Sequence, residues 1–214
     1  MQRQYPNHSY NQKIIDKRME LYHPETVHVN GQEFRVYLTH EEIQQRIRQI
    51  GNELSKTFHD KKPIFIGILN GSYIFLADLM RYVSIPCEVD FLKLSSYGDE
   101  KVSSGEVQEL KDIDAEVKGR HVILVEDIID TGLSMNYLID KLKRMGPASL
   151  TVVTLLHKAE ATVHDVQIDH VAFRVPNLFV IGYGLDYAQE GRNLAQIYIP
   201  AGAPDENGDA ADEI

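Results

Sequence analysis

Val122–Val125 is a run of four apolar, mostly β-branched residues that passes straight into Glu126-Asp127 and then into Asp130-Thr131-Gly132-Leu133-Ser134. A strand buried on both faces of a parallel sheet requires such a run. The acidic pair therefore falls at the strand's carboxyl end, where open α/β sheets bind ligands. A stretch with helical spacing follows, carrying Leu138, Leu142 and Met145, and stops at Gly146-Pro147, so a helix begins at the turn. Ile64–Leu69 and Ser149–Leu156 repeat the strand pattern, and their ends carry Asn70-Gly71-Ser72 and His157-Lys158. Alternating strand and helix patterns predict an α/β fold, a central mostly parallel sheet flanked by helices and joined by right-handed crossovers.

The turn itself narrows the chemistry. Unpaired backbone N–H groups at a helix N-terminus, with Thr131, Gly132 and Ser134 small enough for close approach, suit a phosphate monoester. No lysine stands where a Walker loop needs one, and the spaced glycines of a dinucleotide fingerprint are missing. Adjacent carboxylates beside a phosphate site can accept hydrogen bonds from a sugar diol or help hold a hydrated Mg²⁺. The competing reading is structural: Asp127 and Asp130 cap the next helix, a common use of aspartate.

The segment VEDIIDTG resembles the phosphoribosyl-pyrophosphate (PRPP) motif of type I phosphoribosyltransferases, in the hypoxanthine-guanine branch. Further segments of that branch follow along residues 64–199: ADL at Ala77–Leu79, EVDF at Glu88–Phe91, SSYG at Ser95–Gly98, SSGEV at Ser103–Val107, VIGYGLDY at Val180–Tyr187 and RNL at Arg192–Leu194. The resemblance implies the type I phosphoribosyltransferase fold with a small hood over the base. It also implies Mg²⁺-dependent transfer of 5-phosphoribosyl from PRPP to N9 of a 6-oxopurine, giving a nucleoside monophosphate and pyrophosphate. Hypoxanthine and guanine are the expected bases, and a xanthine-preferring enzyme is the nearest alternative. A PRPP-sensing regulator of the same fold and an inactive structural homologue are the other readings; Asp130, Lys158, Asp186 and Arg192 favour catalysis over both.

By the same resemblance, Glu126 and Asp127 face the ribose hydroxyls, the Asp130–Ser134 turn including Leu133 grips the 5-phosphate, and Asp130 is the general acid/base at purine N7. A carboxylate serves there when its pKa is suitably tuned. Lys158 reads the exocyclic O6, which favours 6-oxopurines because an ammonium donates and cannot accept. Phe179 stacks on the purine while Val180 reads its edge through the main chain; the alternative for Phe179 is an ordinary core position. Asp186 belongs to the purine-binding set and also joins Glu126 and Asp127 as a metal contact, and Arg192 meets the pyrophosphate with its planar fork of donors. Asn70-Gly71 matches the pyrophosphate loop, although many members carry lysine where Asn70 stands, so one positive charge is missing. Leu69-Asn70 is the peptide that relatives often hold in cis. Ser95–Val107 is rich in serine and glycine, and reads either as a lid, with Ser96-Tyr97 near its start, or as an ordinary long hairpin.

Thr39 with Glu42 forms a capping box, and Ile43, Ile47, Ile50 and Leu54 line one face of the helix it opens. The expected division is an N-terminal segment over residues 1–35, partly loose and contributing to the hood, a phosphoribosyltransferase domain over 36–200, and an acidic flexible tail over 201–214. The single cysteine, Cys87, rules out an internal disulfide, and its apolar setting reads as core. His157, His164 and His170, among nine histidines, show no zinc spacing. A net charge of −10 opposes nucleic-acid binding, and no apolar run approaches the ~20 residues a membrane helix requires. A cytoplasmic protein is expected, and the family implies a homodimer or homotetramer.

Overall fold

The structure, a computed structural model, describes residues 23–96, 107–204 and 209–210. The elements in chain order are β1 (Thr26–Val29), β2 (Gln32–Leu38), α1 (His40–Thr57), β3 (Ile64–Leu69), α2 (Tyr73–Tyr82), β4 (Glu88–Ser96), β5 (Val107–Lys111), β6 (His121–Ile129), α3 (Leu133–Arg144), β7 (Ser149–His157), β8 (His170–Arg174), β9 (Ile197–Pro200) and β10 (Asp209–Ala210).

Seven strands form the main sheet in the order β10-β8-β7-β6-β3-β4-β5. The inner pairs β7/β8, β6/β7, β3/β6 and β3/β4 are parallel, and antiparallel β5 and β10 close the two edges. This is the expected α/β arrangement. From β3 the chain passes outward to β4 and later returns on the other side of β3 as β6, so the connections diverge between β3 and β6. Ligands of open α/β sheets bind at such a divergence, beyond the strand tips.

Alternation along the strands builds two cores. Phe65, Ile123, Val125, Val153 and Leu155 face α1 and α2, which contribute Ile43, Ile47, Ile50, Leu54, Phe75, Leu76 and Leu79. Ile64, Ile66, Ile68, Val122, Leu124 and Val152 face α3, with Met135, Leu138, Ile139 and Leu142. The Thr39–Glu42 capping box forms, and all four residues of the anticipated α1 face are fully buried. Each such side chain contributes about 1.5–3 kcal/mol of burial, so this face fixes α1 on the sheet. Cys87 is half-buried against the first core, and burial raises its thiol pKa.

A second, antiparallel sheet in the order β1-β2-β9 joins the first two described strands to Ile197–Pro200. Its small core contains Val29, Phe34, Ile181 and Tyr198. Residue 36, the expected domain start, lies inside β2. Among the described residues no helix is long and apolar enough to cross a membrane. Of the proposed lid, Ser96 ends β4 and Tyr97 lies outside the described residues, as do 98–106. The flanking strands β4 and β5 pair antiparallel.

Candidate active site

Strand β6 runs further than its apolar run suggested. It continues through the acidic pair to Ile129, with Glu126 opposite Thr154 and Ile128 opposite Leu156 on β7. Glu126 and Asp127 are thus rigid strand positions, and the turn starts only at Asp130. Neither Asp127 nor Asp130 caps α3: the N-cap is Gly132, at φ 84°, with no side-chain cap. That removes the structural explanation for these carboxylates. Asp130, Thr131, Leu133 and Ser134 are exposed around a cavity of about 120 Å³ that Glu126 and Gly132 also line.

Burial, with the neighbouring Asp127 charge second, pushes the Glu126 carboxyl well above its ordinary range. Its Oε2 is buried without a hydrogen-bond partner among the described residues. Burial likewise raises Asp127 to about 6, against the N–H of Ile128 and the charge of Arg192, which favour ionisation. Carboxylate oxygens held out of water call for a cation. Among the described residues no group of three or more His, Cys, Asp or Glu forms a closed metal site. A hard ion taking one or two carboxylates here and the rest of its shell from substrate phosphates and water matches Mg²⁺.

The Asp127 shift has a measurable consequence. The folded protein holds this proton up to about pH 6, whereas an unperturbed aspartate releases it near 3.8. Across that window the folded state binds more protons than the unfolded chain, so the contribution of Asp127 to stability falls as pH rises. Below the window both states are protonated and the penalty is absent; above it the penalty is full, roughly 3 kcal/mol. Denaturant titrations of ligand-free Asp127→Asn and wild type at pH 4 and pH 7.5 are expected to show the variant gaining relative stability at the higher pH. An equal difference at both would remove this account.

Two loops meet beside Asp127. Asp127 Oδ2 occupies the place a Cβ on Gly71 would take, and the Gly71 carbonyl occupies the place a Cβ on Gly184 would take. The tip of β3 and the 182–186 loop therefore touch at bare backbone beside Asp127. The Leu69-Asn70 peptide is cis, and Asn70 is exposed. Arg192 pairs with Asp186 at 2.6 Å and donates to the Gly184 carbonyl at 2.9 Å, so the expected pyrophosphate contact is engaged within its own loop.

Lys158, at the tip of β7, is buried, and its Nζ lies 3.3 Å from Asp130 Oδ2. This ammonium is held at the turn, not spread over the surface. Phe179 is 47% exposed, which excludes the core alternative for it. It makes edge and tilted contacts with Tyr187 and Phe34 at 5.4 and 6.3 Å, on the small sheet's side. The Val180 side chain is buried in the main core, which leaves only its main chain to meet a ligand.

The sequence reading missed Thr162. Its hydroxyl shares one proton between the carbonyls of Asp130, at 2.9 Å, and Lys158, at 3.0 Å, and lies 3.2 Å from His157 Nε2. It ties the two charged residues together through their backbones. Only the spacing of four residues from Lys158 hinted at such a turn. Thr162→Val is expected to lower kcat about tenfold, with a stability loss near 1 kcal/mol, and Thr162→Ser to restore both. Steady-state kinetics and thermal melts of the two variants check this.

A strand-tip crevice with a small exposed turn at a helix start, two buried carboxylates and a buried lysine beside an aspartate marks an α/β protein whose site suits a phosphorylated, cation-bound ligand. Residues 36–188 match the phosphoribosyl transferase domain family. The chain is 44% identical over 163 residues to the hypoxanthine-guanine phosphoribosyltransferase of Bacillus subtilis (strain 168), covering 76% of this chain and 91% of that protein. A solved hypoxanthine phosphoribosyltransferase from Staphylococcus aureus superposes with a TM-score of 0.74 at 36% identity, over 78% of this chain and 90% of that one. A hypoxanthine-guanine phosphoribosyltransferase from Bacillus anthracis gives 0.73 at 36% identity, over 77% and 96%. This chain belongs to the phosphoribosyltransferase family, in its hypoxanthine-guanine branch.

Proposed function

We propose that the protein is a purine salvage enzyme, transferring 5-phosphoribosyl from PRPP to N9 of hypoxanthine or guanine and releasing pyrophosphate. The observation that carries the reading is the Asp130–Lys158 pair, 3.3 Å apart and open to the crevice through Asp130. N7 and O6 are neighbours on one edge of a 6-oxopurine. A lysine donating to O6 beside an aspartate facing N7 matches that edge, and it does not match adenine, which presents an amino group where O6 would be.

In this reading the 5-phosphate sits on the exposed N–H groups of the Thr131–Ser134 turn at the start of α3, where the helix dipole favours an anion. Glu126 and Asp127 accept from the ribose hydroxyls. As N9 bonds to the anomeric carbon, the bond from that carbon to pyrophosphate breaks and Asp130 takes the proton from N7. The Phe179 ring covers the base. Asp127 and Asp186 would hold Mg²⁺, with Glu126 near it; when bound, the ion supplies charge neutralisation to the pyrophosphate. Ser96 and Tyr97 belong to the lid in this reading, which keeps water from the anomeric carbon. A cytoplasmic homo-oligomer completes the proposal.

The test is turnover of hypoxanthine, guanine, xanthine and adenine with PRPP and Mg²⁺, in wild type and Lys158→Gln. Wild type is expected to use 6-oxopurines and reject adenine. In the variant an amide can donate or accept, so the discrimination against adenine should narrow by about 10–100-fold, the value of one or two hydrogen bonds. Preferential use of xanthine would move the assignment to the xanthine branch. No turnover with any base, despite PRPP binding, would favour a PRPP-sensing regulator.

A further inference from the structure

Two residues within the segments that carry the family resemblance have no part in the site as described: Asp78 of Ala77–Leu79, and Tyr183 in the middle of Val180–Tyr187. The structure joins them. Tyr183 is 1% exposed, and its hydroxyl donates to Asp78 Oδ2 on α2 at 2.5 Å. Gln44 Nε2 on α1 donates both to Asp78 Oδ2, at 2.7 Å, and to the Tyr183 hydroxyl, at 2.9 Å. Tyr82 in turn donates to Gln44 Oε1 at 3.1 Å, and Arg81 lies 3.6 Å from Asp78 Oδ1. Three elements far apart in sequence therefore close a polar cluster at the inner end of one aromatic side chain.

The backbone at Tyr183 shows what the cluster restrains. Gly182, Tyr183 and Gly184 all have positive φ, 96°, 52° and 105°. Glycine adopts this region freely, but a bulky residue does not, and it persists there only when its surroundings force it. The forcing contacts are the side-chain hydroxyl just described and the Tyr183 N–H, which donates to the Leu194 carbonyl at 2.9 Å. The next residue, Gly184, is the one whose Cα sits against the Gly71 carbonyl and whose own carbonyl receives Arg192. Asp186, paired with Arg192, is two residues further on.

We propose that Tyr183, clamped by Asp78 and Gln44, is a positioning residue that presses the Gly184–Asp186 arm against the Gly71 loop and so sets the pyrophosphate side of the site. The proposal rests on the transferase reading for what that side binds. The clamp acts on PRPP rather than on the purine, because Asp130 and Lys158 are carried by β6 and β7 and do not touch it. Burial and the Asp78 carboxylate hold the Tyr183 phenol far above its ordinary pKa, so it donates throughout the working pH range.

The test compares wild type, Tyr183→Phe, Asp78→Asn and the double variant, by calorimetric binding of PRPP with Mg²⁺ and by steady-state kinetics. Tyr183→Phe preserves the buried ring and removes only the hydroxyl, so the fold is retained. It is expected to weaken PRPP about tenfold, the loss of one charged hydrogen bond, and to raise the KM for PRPP in parallel. The KM for hypoxanthine should stay within about twofold, and the double variant should bind PRPP no more weakly than the worse single variant. A Tyr183→Phe protein with a lower Tm but unchanged PRPP affinity would make the cluster purely structural and overturn the proposal, as would additive effects in the double variant. Absence of turnover in wild type would instead count against the transferase reading, and the binding ratios would still test the clamp.

Discussion

Asp130→Asn is expected to lower kcat for hypoxanthine by about 10²–10⁴-fold, the usual contribution of a positioned acid/base group. Asparagine has nearly the same shape but cannot take the N7 proton, so PRPP affinity should change only a few-fold. The side chain of Asp130 is 48% exposed, and its ion pair with Lys158 is reached by water on one side. Losing that pair should therefore cost about 1 kcal/mol of stability, near the upper end for a solvent-screened pair. Single-turnover kinetics at saturating PRPP isolate the chemical step from product release. A variant retaining more than a tenth of the wild-type single-turnover rate would show that the N7 proton leaves by another route. Because Lys158 lies between this carboxylate and the core, the Lys158→Gln and Asp130→Asn effects should be less than additive: each removes part of one edge-reading unit.

Such a unit was readable in advance only in part. The strands β3, β6 and β7 announce themselves because a strand covered on both faces must be apolar at every position, and α1 does so through its capping box and four-residue stripe. The continuation of β6 through Glu126 and Asp127 was not visible, since charged residues ordinarily leave a strand's interior. Here the neighbouring β7 supplies hydrogen bonds as far as His157, and the ladder outlasts the apolar pattern. The pairing of β2 with β9 was equally hidden. It joins segments about 165 residues apart, such as Phe34 and Pro200, and no local pattern specifies a partner at that distance. At the site, the resemblance singled out residues by motif, but the joining of Gln44, Asp78 and Tyr183 was not legible, although Asp78 and Tyr183 lie in motif segments. Their separations of 34 and 105 residues leave nothing in any one segment to connect them. Thr162 escaped for a different reason: threonine after a strand has many uses, and only the positions of two carbonyls reveal this one.

Gly71→Ala is expected to disable the site more completely than loss of any single charge at its pyrophosphate side. A Cβ there would overlap Asp127 Oδ2, and Gly71 cannot retreat, because its carbonyl already fills the space beside the Cα of Gly184. The Asp127 carboxylate must then rotate out of its buried position or the β3 tip must move, dragging the 182–186 loop with it. Overpacking of this kind costs about 1–3 kcal/mol. The catalytic loss should exceed what that figure suggests, since misplacing reacting groups by about 1 Å can cost roughly 10²-fold. We expect kcat/KM for PRPP to fall at least 10²-fold, with a Tm decrease that leaves the protein folded at assay temperature. Gly202→Ala, where a Cβ would meet nothing within 4 Å, should match wild type in both measurements. The informative companion is Gly184→Ala, which strikes the same contact from the opposite side. If the Gly71–Gly184 junction is one mechanical element, the two substitutions produce the same defect, a loss in PRPP binding with the purine side preserved. A Gly71→Ala enzyme within threefold of wild type would mean that Asp127 does not need the position it occupies here.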